Sequence, residues 1–239
     1  MTMSKFIDKL NSIASGGAAP MGFRVAGAKP RPKMALVAHV AAEAKADGAD
    51  AILLAVPKAT RSLKKPKAKV LWGGWLKEVS AAEVKRLVEG GADFVVFPAA
   101  SVSSAIIEDE KLGKIVEVEA DIEASLLKSI DDLPIDAVLI AGEKPSLSWQ
   151  DLMLFRRGAN ILSKPLLVVV SPDVTASELQ ALCEAGVAGV VAGANVDKLR
   201  KAIDKLTSPK AGKRRKAEPL LPRIGGGVET IPEEEEEED

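Results

Sequence analysis

Tyrosine is absent from this 239-residue sequence, and Phe and Trp together make up only 3% of it. A core must therefore come from Ala, Val, Leu and Ile, which an apolar total of 47% allows. Cysteine occurs once, which excludes an intramolecular disulfide and a cysteine-cluster metal site. Cys183 lies in the helical pattern Ala176–Glu184 and reads as a small buried residue. Histidine also occurs once. His39 reads as mid-helix, within Met34–Lys45, far from any strand end. That disfavours a histidine triad, a histidine–metal cluster or a histidine base. No run reaches the roughly 18 apolar residues of a membrane span. The start, Met1–Phe6, lacks the long apolar stretch of a signal peptide. A cytoplasmic protein, bound to no membrane, is expected. Net charge is −1, so global charge gives no argument for nucleic acid.

What is present is a repeated phrase. Gly48-Ala49-Asp50 opens the apolar run 51–56, Gly91-Ala92-Asp93 opens 94–98, and Ile135-Asp136 opens 137–141. Gly186-Val187-Ala188 opens 189–192 in the same way. Four further apolar runs alternate with these, at about 22–27, 69–75, 114–119 and 166–170. Continuous apolar runs are what parallel strands covered on both faces require. Eight such strands, mostly alternating with helical segments, predict one closed (β/α)₈ barrel over 1–206. The competing arrangement is an open doubly wound sheet, but no Gly-x-Gly-x-x-Gly follows the first strand.

Phe6, Leu10 and Ile13 share a helical face, so Ser4–Ile13 is expected to be a leader helix over the N-terminal mouth. Ser80 with Glu83 forms a capping box before a helix at 81–89. Asp121 is a candidate N-cap for a helix through Ile130, Ser146 or Ser148 for a helix through about Gly158, and Thr175 for one at 176–185. The segment 57–69 hardly holds a full helix, so the second helix should be degenerate. From Thr207 the periodicity stops. Residues 207–239 carry six basic and nine acidic side chains, ending in seven consecutive acids, and read as a disordered tail. Within it, Leu220–Ile224 could dock as an extended peptide, and the acidic end could meet a protein partner or simply be solvated.

In such barrels ligands bind at the C-terminal strand ends. Alternation along 114–120 puts Val116, Val118 and Ala120 on one face and Glu117 and Glu119 on the other. The helix-facing side offers a carboxylate no partner, so Glu117 and Glu119 should point inward. By the same reasoning Arg24 points inward and meets one of them, with Lys144 near the mouth. This cluster is either a structural ion group or a site where Glu117, Glu119 and Lys144 move protons. Lys29, Arg31 and Lys33, with Lys58, Arg61, Lys64, Lys65 and Lys67, would form a basic rim, either a solvated face or an attractor of anions. Few aromatics lie nearby to stack bases, which ranks nucleic acid low.

The turns Ser171-Pro172-Asp173 and Ala192-Gly193-Ala194-Asn195 stand where many barrels hold phosphate. The second turn, and the Gly-Ala-Asp phrase, resemble the ribulose-phosphate-binding barrel group, which includes thiamine-phosphate synthase. The resemblance implies an anionic, phosphorylated ligand held by Ser171, Gly193 and Asn195. It departs from the group at strand 7, where Pro172 removes a donor and Asp173 adds negative charge. Two functions follow as expectations. One is a lyase or isomerase acting on an anionic metabolite, with no cofactor indicated. The other is a barrel without catalysis that binds or assembles through its basic rim and charged tail, with a homo-oligomer one form this could take.

Overall fold

A computed structural model describes residues 4–15, 32–40, 46, 48–56, 70–100, 106, 111–142 and 146–207. Eight parallel strands close on themselves in chain order: β1 (Ala35–Val40), β2 (Ala51–Val56), β3 (Leu71–Leu76), β4 (Phe94–Pro98), β5 (Gly113–Val118), β6 (Ala137–Ile140), β7 (Leu166–Val169) and β8 (Gly189–Ala192). β1 pairs with β8, with Ala35 beside Gly189, so the sheet has no free edge and the open arrangement is excluded. The helices are α1 (Lys5–Ala14), α2 (Ala81–Glu89), α3 (Ala124–Ser129), α4 (Trp149–Ile161), α5 (Ala176–Ala185) and α6 (Val196–Asp204).

The first strand departs from the expectation. It is Ala35–Val40, inside the segment read as a helix, and the eight staves are complete without 22–27. A six-residue run such as Ala-Leu-Val-Ala-His-Val carries no periodicity that separates a buried strand from a buried helix. The helix after β5 also starts later than expected. α3 begins after Glu123, which makes no side-chain cap, and Asp121 does not cap it. The predicted caps at Ser80, Ser148 and Thr175 all form, each as a reciprocal capping box with Glu83, Asp151 and Glu178 respectively. The second helical segment, 57–69, and the tail from 208 onward lie outside the described residues.

The repeated phrase has a mechanical explanation. The backbone N–H groups of Asp50, Asp93, Asp136 and Ala188 each donate at 2.8 Å to the carbonyl of Leu36, Trp72, Lys114 and Leu166 on the preceding strand. In two units the aspartate carboxylate closes the pair by accepting from the same partner, Leu36 N at 2.8 Å for Asp50 and Lys114 N at 2.8 Å for Asp136. The phrase sets parallel register where each even strand begins, with one backbone bond in all four units and a second, carboxylate bond at Asp50 and Asp136. Asp50 also takes Lys9 Nζ at 2.6 Å and Arg200 Nη1 at 3.1 Å, joining α1 and α6 to the sheet.

Asp93 puts its carboxylate to another use. It accepts from Ser4 Oγ at 2.7 Å, Lys5 N at 3.1 Å and Phe6 N at 2.8 Å. The N–H groups of Lys5 and Phe6 are orphan donors of the first turn of α1, Ser4 is its N-cap, and a negative charge there is also favoured by the helix dipole. A residue in the barrel thus caps the leader helix. Phe6, Ile7 and Leu10 of α1 are fully buried, and the Phe6 ring stands 4.6 Å from that of Phe94. A Cβ on Gly113 would come within 2.6 Å of Ile7, so glycine leaves the room into which α1 presses. Above this plug Val37, Leu53, Val96, Ile115, Leu139, Leu167 and Val191 fill the lumen and leave no space for a water molecule.

Candidate functional site at the C-terminal mouth

Inward positions alternate along each strand, and the last of them form the rim of the mouth. β1 contributes Ala35, Val37 and then His39. β3 contributes Leu71, Gly73 and then Trp75. β5 contributes Gly113, Ile115 and then Glu117. His39, Trp75 and Glu117 are each half-buried, above a fully packed interior. Trp75 Nε1 donates to Glu117 Oε2 at 2.6 Å. The His39 and Trp75 rings lie 4.8 Å apart between centroids, tilted by 55°. The indole therefore spans from β1 towards β5, with an imidazole against its ring and a carboxylate on its N–H. A charge-assisted hydrogen bond of this length is among the stronger kinds.

His39 overturns an expectation. It lies in β1 at the mouth, not in a helix away from the strand ends. The signal that could have found it is the β-branched, alternating run 35–40 with histidine at an inward position. The same shift removes the ground for placing Arg24 on an inner wall, since 22–27 is not the first stave. Arg24, with Lys29, Lys58, Arg61 and Lys144, lies outside the described residues. Lys33 precedes β1 and donates to the carbonyl of Leu206 after α6, so it stands at the N-terminal end and not on the active face. The argument that put Lys29 and Arg31 beside it on that face falls with it.

Glu117 faces inward, and the partner it meets among the described residues is Trp75. Glu119 is exposed, one position beyond the end of β5. Ser171 follows β7 and receives Asp173 N on its Oγ at 3.4 Å. Gly193 is exposed after β8. Asn195 holds a left-handed conformation at φ 56° and donates its side-chain amide to the carbonyl of Pro172 at 3.1 Å. That bond ties the loops after β7 and β8 together. It also leaves α6 without a side-chain cap, unlike α1, α2, α4 and α5.

A cleft of about 450 Å³, counting its opening, adjoins the mouth between β6, β7, α4 and α5. Ile140, Phe155, Val168 and Val174 make its walls apolar, and Ser146 and Ser171 stand at its lip. Its carboxylates, Asp151 and Glu178, serve as caps of their own helices. The hydrogen bonds from Thr175 hold the Glu178 carboxyl below its usual range. Among the described residues no cluster of three or more His, Cys, Asp or Glu could hold a metal ion, and no helix is long and apolar enough to cross a membrane.

No family model and no curated protein sequence matches this chain. Solved structures do match. A mutant tryptophan synthase α-subunit from Pyrococcus furiosus is 14% identical with a TM-score of 0.54, covering 72% of this chain and 97% of its own. The 3-keto-L-gulonate-6-phosphate decarboxylase of Vibrio cholerae is 14% identical with a TM-score of 0.52, covering 73% and 98%. Rhizobium etli pyruvate carboxylase is 12% identical with a TM-score of 0.51, covering 67% of this chain but 23% of its own. At such identities the likeness is one of fold. In fold this chain is similar to the closed parallel barrels of tryptophan synthase α-subunit and 3-keto-L-gulonate-6-phosphate decarboxylase.

Proposed function

We propose that the C-terminal mouth binds a small anionic metabolite and that Glu117 moves a proton on it, in a lyase or isomerase reaction. The observation that carries this reading is the placement of Glu117: it is the one acidic residue in all eight strands, and it stands on the inner wall of the mouth on an indole N–H. A carboxylate fixed by a hydrogen bond over a water-excluding floor is suited to general acid–base work. The first turn of α6, which has no side-chain cap, supports an anion subsite beside Ser171, Gly193 and Asn195, because helix N-termini favour anions. Asp173 opposes it, so the basic residues that follow β2 and β6 in the chain, Lys58, Arg61 and Lys144, share the anion in this reading. Glu119 lines the outer rim. A fold neighbour is named for decarboxylating a sugar-acid phosphate, which agrees with this ligand class.

The test is a thermal-shift and calorimetric screen with inorganic phosphate and three- to six-carbon phosphorylated metabolites. A ligand at 100 times its Kd should stabilise the fold by about 2.7 kcal/mol. Glu117→Gln should keep binding while losing turnover. Exchanging Lys58 and Arg61 for Glu should weaken binding. Absence of any stabilisation contradicts the reading. The second reading, a binding or assembly barrel, is favoured by Trp149 and Met153, which are 82% and 70% exposed on one face of α4. Loss of self-association or partner capture in a Trp149→Ser, Met153→Ser variant would support it.

A further inference from the structure

The eight strands carry three ionisable side chains, His39, Lys114 and Glu117. Lys114 falls on the outward alternation of β5, between the inward Gly113 and Ile115. His39 and Glu117 are thus the two ionisable groups that the staves turn toward the mouth, and Trp75 touches both. We propose that His39 and Glu117 are a pair of proton-transfer groups at two ends of the Trp75 indole. On this view the mouth catalyses a proton shift between neighbouring carbons of a small hydroxy-carbonyl substrate, an isomerisation. The proposal rests on the reading of the mouth as the substrate site and narrows its reaction class.

The chemistry balances without a co-reactant. The Glu117 carboxylate takes the proton from the carbon beside the carbonyl. The C–H electron pair forms the carbon–carbon double bond, and the carbonyl oxygen takes a proton from the His39 imidazolium, giving an enediol. His39, now neutral, removes the proton of the neighbouring hydroxyl. The returning electrons draw the Glu117 proton onto the adjacent carbon, and the carbonyl has moved by one position. Each group ends as it began. Trp75 is a positioning residue. Its N–H holds one carboxylate oxygen and leaves the other for substrate, and its ring fixes the imidazole plane.

Among the described residues, His39 pairs in register with Leu53 of β2 and lies against Trp75 of β3, with Glu117 of β5 across the lumen on the Trp75 N–H. Glu117 is the charged member of that set, Glu119 and Asp173 lie exposed beyond their strands, and His39 has a further interaction of its own. A protein with one histidine gives a direct readout. With ¹³C-labelled imidazole, the His39 titration followed by NMR should fall measurably in Glu117→Gln, since a carboxylate facing the same mouth favours the imidazolium. An unchanged titration overturns the pairing whether or not a ligand is known. The second arm follows loss of carbon-bound hydrogen in D₂O from a panel of three- to six-carbon aldose and ketose phosphates. Wild type should exchange at least one of them, Glu117→Gln should abolish this, and His39→Gln should slow it about 100-fold. Exchange that His39→Gln leaves intact overturns the role of His39 while keeping Glu117 as base. No exchange by wild type, with binding still seen in the thermal screen, overturns the isomerisation and leaves the binding site standing.

Discussion

Single residues hold this barrel at points where one side chain serves several segments. Asp93 satisfies three donors at the start of α1, two of them backbone. Hydrogen bonds to a charged group contribute about 1.5–3 kcal/mol each, so Asp93→Ala should destabilise the fold by about 3 kcal/mol or more. Urea unfolding would read the loss, and hydrogen exchange should show faster exchange at Phe6 and Ile7; protected amides there would count against the cap. Gly113→Ala tests the fit of the plug from the other side. Its Cβ would meet Ile7 at 2.6 Å and Ser4 Oγ at 2.7 Å, and such overpacking costs about 1–3 kcal/mol. Adding Ile7→Ala should recover part of that cost, because contacting residues are not additive. The link from Asp93 to Ser4 spans 89 residues, so no local pattern could announce it. The aspartates were visible as a phrase, while their partners were not.

At the scale of elements, what could be read depended on whether a strand carried its own marker. β2, β4, β6 and β8 start behind a Gly-x-Asp-like clamp, and their limits match the apolar runs. β1 has no such marker and reads equally as helix, which hid His39 in the wrong element. Glu117 was legible because alternation in β5 is broken only by charge. The caps were legible because a capping box is a local pattern. In α5 that box makes a pH prediction. Glu178 has its carboxyl pushed down by its bonds to Thr175. A carboxylate with a lowered folded value stabilises above its ordinary range, near pH 4.5, and that contribution is lost as pH falls through the folded value. Wild type should therefore lose more stability between pH 6 and pH 3 than Glu178→Gln does; equal losses in urea titrations would refute the cap's role. On the same helix, burial pushes the Cys183 thiol up from its ordinary value. Its labelling by a disulfide reagent should be slow in the native protein and fast in urea, and rapid native labelling would place α5 wrongly.

The described barrel is closed at its N-terminal end by α1 and packed through its middle, with the ionisable inner groups of its strands gathered at the C-terminal end. That distribution leaves the C-terminal end as the place for the proposed chemistry, the end at which barrels of parallel strands bind their ligands. Its three tryptophans occupy three distinct settings. Trp72 is buried with no partner on Nε1 among the described residues, Trp149 is exposed, and Trp75 donates to Glu117. A ¹H–¹⁵N spectrum of the three indole N–H groups, assigned by single Trp→Phe variants, tests the mouth directly. The account predicts that Glu117→Gln shifts the Trp75 signal upfield and leaves those of Trp72 and Trp149 in place. A Trp75 signal that stays where it was, or that exchanges with water as freely as the Trp149 signal, would contradict it.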